Sequence, residues 1–343
     1  MELGELKEHL QSFFYESVLT IVGSGLSSAE GIPGMYKLGE ELIKNVPNKI
    51  CKDSLTIWGN IEQSIKRGQG LEETLLKNKP SEDIEEAIKI VTEQYIRKSE
   101  ENVIKKIAKK EQKLRFSDYI KKLNISTDGT KIITTNYDRL VEFACEEEGV
   151  LVDNLFTGNY MSKVNEKSNY NFFRGIDKVK KNNYKMNYEE HVAIYKPHGC
   201  LGWYMRDGEV IYSSFNLEIE NLIITPGANK YRKGYDMPFD LHRTKANDAI
   251  DNASCFVIIG YGFNDDHLET HLINRIKKGI RTLVITRDIS KKVIDLIKRC
   301  NMTAVYHYEN DSEYGTIVNI NGEEIILKDC GMWDLGEFVR EVL

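Results

Sequence analysis

Five apolar runs in this chain end on residues able to do chemistry: GSGLSS after VLTIV, TNYD after KIIT, KPHG after HVAIY, GYGF after CFVII, and TRD after TLVI. These tips hold one glycine cradle, one amide beside a carboxylate, one imidazole and a second glycine turn. The first tip follows a short apolar run and precedes a helical pattern. Such a loop points backbone N–H groups and a helix N-terminus at one spot, where a pyrophosphate gains hydrogen bonds and the favourable end of the helix dipole. Its glycines, Gly23, Gly25 and Gly31, run G-x-G-x5-G rather than G-x-G-x-x-G. No acid stands convincingly about 20 residues on to take a ribose hydroxyl. By itself the loop reads as either a phosphate cradle or a plain tight turn, and lone glycine motifs are often the latter. Asn136 offers a donor and an acceptor, so it suits a water or a ribose hydroxyl. It equally suits a cap on the helix that begins near Arg139, and Asp138 has the same alternative. His198 is held between Pro197 and Gly199, and an imidazole there can accept a proton from a hydroxyl or a water.

Positioning five tips around one ligand demands an ordered scaffold. Continuous apolar strands (VLTIV, KIIT, HVAIY, NLIIT, CFVII, RTLVIT) alternate with helical patterns. That alternation predicts an α/β fold with a doubly wound, Rossmann-like parallel sheet covered on both faces, with ligands beyond the carboxyl ends of the strands. The chain reads as a single domain over residues 1–343. From 37 to 125 the apolar residues fall at helical spacing among many Glu and Lys, which predicts a helical insertion of about four helices. Residues 151–190 are rich in Asn, Lys and Tyr with weak periodicity, and read as an irregular, exposed insertion.

Composition narrows the function classes. The 343 residues are 41% hydrophobic and 29% charged, with a formal net charge of -6. An acidic surface repels polyphosphate backbones, so no direct binding of duplex nucleic acid is expected. No apolar window reaches the ~18 residues of a membrane helix, and MELGELKEHL is acidic where a signal peptide is basic, so a cytoplasmic location and no membrane partner are expected. The six cysteines form no C-x-x-C pair and read as reduced core residues. His267 and His271 share a helical face at i, i+4, but no third ligand is evident and no metal is expected. The lysines of VIKKIAKKEQK read as a solvated helix face.

The chain resembles the sirtuins. Their loop G-A-G-hydrophobic-S-x-x-x-G-I-P is met by Gly23, Ser24, Gly25, Leu26, Ser27, Gly31, Ile32 and Pro33, with Ser24 in the alanine slot. Their Asn-Ile-Asp tip is similar to Asn136, Tyr137 and Asp138, and their His-Gly tip to His198 and Gly199. Gly260 and Gly262 resemble the family's second glycine turn, and Thr286 stands where an Asn usually bonds the adenosine ribose. The departures are equally specific. Gly34, Met35 and Tyr36 replace Asp-Phe-Arg, and the two C-x-x-C pairs of the zinc module are missing. A NAD pocket without its peptide groove resembles the bacterial sirtuin-like NAD hydrolases of antiphage defence, which carry helical inserts and a similar T-T-N-Y-D tip.

That resemblance implies NAD+ as substrate, cleaved to nicotinamide and ADP-ribose, with no zinc. It implies Asn136, Asp138 and His198 as catalytic residues. The dinucleotide contacts would come from Gly23, Ser24, Gly25, Ser27, Gly31, Ile32, Pro33, Tyr137, Gly260, Gly262 and Thr286. It implies a homo-oligomer with the helical insertion as contact surface. A regulatory partner is also implied, a HerA-type ATPase, an Argonaute-like protein or a phage trigger. Two alternatives stay open: a scaffold that binds NAD or ADP-ribose without cleaving it, and a NAD-dependent deacylase or ADP-ribosyltransferase acting on protein. The cleavage itself passes through an oxocarbenium-like state, as in glycoside hydrolysis, but the leaving group departs neutral and needs no proton.

Overall fold

The structure is a computed structural model and describes residues 2–15, 17–180, 183–227, 236–263, 266–310 and 313–343. The strands, in chain order, begin with β1 (Val18–Val22), β2 (Thr130–Thr134), β3 (Leu151–Asp153), β4 (Phe156–Thr157) and β5 (Ser162–Val164). They continue with β6 (Phe173–Lys180), β7 (Asn183–Tyr188), β8 (His191–Tyr195), β9 (Gly199–Arg206), β10 (Glu209–Tyr212) and β11 (Asn221–Ile223). The last five are β12 (Cys255–Ile259), β13 (Arg281–Thr286), β14 (Met302–Asn310), β15 (Glu313–Ile320) and β16 (Glu323–Lys328).

Nine of them form one sheet in the order β16-β15-β14-β13-β12-β1-β2-β8-β3. From β14 to β3 every pairing is parallel, and only β15 and β16 run antiparallel at one edge. β1 is fully apolar except for Thr20, whose hydroxyl is satisfied 2.8 Å away by the Tyr119 hydroxyl. Successive side chains of a strand point to opposite faces, and here the two faces feed two cores. Val18, Val22, Ile132, Ile194 and Val257 pack with the helices Leu3–Gln11, Leu140–Glu147 and Leu335–Val342. Leu19, Ile21, Ile133, Phe256 and Ile258 pack with Phe239–Asn252, Asp266–Lys277 and Lys291–Ile297. The sheet is thus doubly wound, as the apolar runs require.

Winding proceeds from β1 through β2 to β8 on one side, and from β12 through β13 to β14 on the other. The direction reverses between β1 and β12, which is where an open sheet of this kind leaves a crevice at the carboxyl ends.

Two stretches depart from expectation. NLII does not join the parallel sheet: β11 pairs antiparallel with β9 in a second sheet ordered β11-β9-β10-β5-β4. A short apolar run carries no information on its partner, and the turn at Lys196–Gly199 sends the chain into β9, where a new apolar cluster of Phe156, Trp203, Leu222 and Phe239 covers it. Residues 151–190 hold five short strands, including the hairpin β6-β7. Most of the hairpin's large side chains, Ile176, Val179, Tyr184 and Met186 among them, are exposed, so no buried face imprints a period on its sequence.

Five α-helices occupy residues 35–120: Met35–Asn45, Leu55–Lys66, Leu71–Lys77, Glu82–Ala108 and Arg115–Ile120. Leu38, Leu42, Trp58, Ile61, Leu75 and Ile88 form a separate core among the first four. The C-terminal half of the long helix, with Ile96, Val103 and Ile107, packs instead into the sheet core, and so reaches the carboxyl ends of the strands. Among the described residues no helix is long and apolar enough to cross a membrane.

Candidate active site

Register places the tips on one level. The last parallel pairs are Ile259 with Ile285, Val22 with Ile259, Val22 with Thr134, and Ile133 with Tyr195. Gly260 and Gly23 therefore leave their strands side by side. Asn136 and His198 each stand three residues beyond the paired Ile133 and Tyr195, on neighbouring strands.

The two glycine turns interlock. Gly23 N–H donates to the Ile259 carbonyl at 2.9 Å and Gly25 N–H to the Gly260 carbonyl at 2.8 Å. A Cβ on Gly23 would lie 2.5 Å from the Gly260 oxygen, and one on Gly25 would lie 2.8 Å from it. Gly260 has φ +58, and its own Cβ would sit 2.5 Å from the Leu26 nitrogen. Leu26 N–H in turn bonds the Gly23 carbonyl at 3.3 Å. Three N–H groups that the sequence assigned to a phosphate cradle are thus used inside the protein, and the glycines serve close backbone approach. Ser24 and Gly25 are exposed at the start of the helix Ser24–Glu30, and Gly262 is exposed on the opposing turn. Gly31 ends that helix in the left-handed region at φ 108. Ile32 beyond it is buried in the sheet core, and Pro33 is half-buried. Thr286 donates from its hydroxyl to the Asp288 carbonyl at 3.1 Å.

Asn136 is buried and reaches across to the first loop. Its Nδ2 donates to the Gly23 carbonyl at 2.9 Å and to the Ser27 Oγ at 2.8 Å. Because a carbonyl only accepts, the amide orientation is fixed and Oδ1 remains as its acceptor. The side chain caps no helix. Asp138 stands one residue before the N-cap Arg139 of the helix Leu140–Glu147, and its Oδ1 accepts from Leu140 N–H at 3.2 Å. The Ser27 hydroxyl also stands beside the Asp138 carboxylate and favours its charged form, so one hydroxyl stands between the amide and the acid. Burial raises the Asp138 carboxyl to about 6. The Lys196 charge opposes the rise, Glu100 adds to it, and the bonds from Ser27 and Leu140 oppose it.

The TNYD and KPHG tips are tied at several points. Tyr137 donates its hydroxyl to the Ile224 carbonyl at 2.6 Å, and Ile224 N–H donates to the His198 carbonyl at 2.9 Å. Leu201 N–H bonds the Tyr137 carbonyl at 2.9 Å. The Gly199 turn that directs His198 has φ +92, with room for no Cβ: the Leu222 oxygen lies 2.3 Å from that position. His198 itself is half-buried.

Four charged residues around this site escaped the sequence reading. Lys196 is 2% exposed. Its Nζ donates to the Asp138 carbonyl at 2.7 Å and pairs with the Glu142 Oε1 at 3.0 Å. Burial works against the Lys196 charge, but Glu142 in the first place holds the ammonium's pKa above the ordinary value. Glu100, wholly buried on the long helix, accepts from Arg139 N–H at 2.6 Å and from its guanidinium at 2.6 and 3.1 Å. The available signal was a lysine continuing a five-residue buried strand, HVAIYK, where a solvated lysine would break the pattern.

His242 stands behind Lys196. Its Nδ1 accepts from Lys196 N–H at 3.2 Å, and burial pushes the imidazole down to about 3, so it is neutral. His271 pairs with Asp251 at 3.1 Å. The side chain of His267 lies outside the described residues. Among those residues no three His, Cys, Asp or Glu gather as a metal group. Of the six cysteines, Cys145, Cys200 and Cys255 are buried, Cys300 and Cys330 half-buried, and Cys51 exposed.

An open, doubly wound sheet with its polar residues gathered at the strand ends defines an α/β protein of Rossmann-like architecture. This chain belongs to the SIR2-like domain family, whose model matches residues 130–302. No curated protein matches it. Among solved structures it is similar to a Sir2 enzyme described in a study of mechanism and regulation, at 11% identity and TM-score 0.44, covering 100% of this chain and 98% of that one. It is also similar to Sir2Tm bound to a propionylated peptide, at 13% identity and TM-score 0.42, covering 98% and 97%. A Sir2 variant described with a p53 peptide and NAD matches at 13% and 0.42, covering 100% and 97%.

Proposed function

We propose that this protein hydrolyses NAD+ to nicotinamide and ADP-ribose. The observation that carries the reading is the Asn136 amide, hydrogen-bonded to Gly23 and Ser27 with the Asp138 carboxylate beside that hydroxyl, set next to the Gly23–Gly260 junction on level strand ends. The diphosphate lies over the exposed Ser24 and Gly262, and Thr286 faces the adenosine half. Asp138, as a carboxylate, accepts from the nicotinamide carboxamide. The C1′–N bond breaks with its electron pair moving onto the ring nitrogen, which leaves neutral nicotinamide and a cationic ribose. Asn136 accepts from the water through Oδ1 as that water attacks C1′, and His198 takes the proton released.

The charge balance suits this chemistry. Asp138, Glu142 and Glu100 face two cations, Lys196 and Arg139. The excess negative charge stands beside the place where positive charge develops, where a low-dielectric surrounding strengthens it.

We further read the chain as an effector of bacterial antiphage defence that drains cellular NAD+. In this reading it is one cytoplasmic domain assembled as a homo-oligomer through residues 37–125 and restrained by a partner protein. Incubation of the purified protein with NAD+ tests the central step. Equimolar nicotinamide and ADP-ribose without any acceptor, lost in Asn136→Ala and His198→Ala, support hydrolysis. Binding of NAD+ without products would make the chain a scaffold, and products only with an acceptor protein would make it a transferase or deacylase.

A further inference from the structure

The mechanism above uses Asp138 but leaves unexplained a fully buried lysine whose ammonium lies against that residue's backbone. Resting on the hydrolase reading, we infer that Lys196 is a positioning residue. It clamps the TNYD tip to the KPHG tip, and its charge is the counter-ion that keeps the Asp138 carboxylate available to a ligand.

The geometry is specific. Lys196 is the residue directly before Pro197 and His198, so its backbone belongs to one tip while its Nζ donates to the carbonyl of Asp138 on the other at 2.7 Å. A lysine 2% exposed has no access to bulk water, and removing an ammonium from water is tolerated only with a charged partner and its protons satisfied. Glu142, two positions beyond Leu140 on the adjoining helix, supplies the partner at 3.0 Å. Behind it the imidazole of His242 is neutral and brings no competing charge.

The groups facing Asp138 from other elements are Glu100 on the long helix, Lys196 at the end of β8, and the Ser27 hydroxyl. On its own segment Arg139 is committed to Glu100 and Glu142 to Lys196. Lys196 is therefore the cation that offsets Glu100 at this carboxylate. Its loss leaves the Asp138 carboxylate facing the Arg139-bound Glu100 without the Lys196 charge, and its release from Glu142 concentrates its field on Asp138. The two changes move the acid in opposite directions, which a merely structural role would not do.

The test reads the Asp138 carboxyl directly by carbon NMR titration of aspartate-labelled protein without NAD+, assigned with Asp138→Asn. Lys196→Met should move the titration upward by at least one pH unit, Glu142→Gln should move it downward, and Lys196→Arg should leave it within a few tenths. If Lys196→Met does not fold, the opposite movement in Glu142→Gln carries the test. An unchanged titration in the folded variants overturns the inference, as does movement of both variants in one direction. Nicotinamide release by the wild-type protein is measured in parallel. Its absence at every pH removes the hydrolase reading and leaves the titration result standing by itself.

Discussion

Gly25 donates its N–H to the carbonyl of Gly260 at 2.8 Å, and neither position has space for a single added carbon. Two loops from the strands on either side of the sheet's reversal point are thereby locked backbone to backbone. The motif that reads in sequence as a phosphate cradle is first a contact between turns.

Substitution at the junction tests this arrangement. Gly260→Ala adds a Cβ 2.5 Å from the Leu26 nitrogen at φ +58, which should destabilise the protein by roughly 2–4 kcal/mol and weaken NAD+ binding more than tenfold. Gly59→Ala, in a helix where a Cβ meets nothing within 4 Å, should be neutral or stabilise by up to about 1 kcal/mol. Thermal melting and calorimetric titration with NAD+ measure both.

Ser27 stands between Asn136 and Asp138, and Ser27→Ala removes the acceptor of the Asn136 amide and the hydroxyl beside the Asp138 carboxylate. The expected result is a fall in kcat/KM of roughly 10–100-fold, or about 1.4–2.8 kcal/mol, mostly in kcat. Steady-state assay of nicotinamide release at fixed pH checks it.

Burial raises Asp138 to about 6 from an ordinary 3.8. If its carboxylate holds the carboxamide, activity should fall as pH drops through 6, and Asp138→Asn should lack that limb. The linkage to stability has the opposite sense. The fold binds the proton more tightly than the unfolded chain, so this group's contribution to stability declines as pH rises between about 4 and 6. At pH 7 Asp138→Asn should be more stable than wild type by at most about 3 kcal/mol, with the gain vanishing below pH 4. Urea denaturation across pH measures it.

Arg139 neutralises Glu100, which is 0% exposed. Arg139→Ala strands that carboxylate and should cost about 3–5 kcal/mol, whereas Arg139→Ala with Glu100→Gln should recover much of the loss. A double-mutant cycle by chemical denaturation resolves the coupling.

The strands and their tips were legible because a buried parallel strand leaves an unbroken apolar run and ends on a residue of different chemistry. Asn136 was legible as a polar tip but not as a bridge to Gly23, since capping and bridging ask for the same amide. Lys196, Glu142, Arg139 and Glu100 were not legible as a buried cluster. Glu100 comes from a helix 39 residues before Arg139, and charge pairs assembled across elements have no local signature. NLII was misplaced and the strands of the exposed β6-β7 hairpin were missed for a related reason: a strand's partner is set by the tertiary fold, and a strand with no buried face leaves no period.

The central claim is that Asn136 holds the attacking water. Its most direct measurement is the single-turnover rate of nicotinamide release from NAD+ by wild type, Asn136→Ala and Asn136→Asp, with thermal melting as control. The account predicts at least a 100-fold loss in both variants, about 2.7 kcal/mol of transition-state stabilisation, with Asn136→Ala still folded and still binding ADP-ribose. Release at the wild-type rate from a folded Asn136→Ala protein would contradict it.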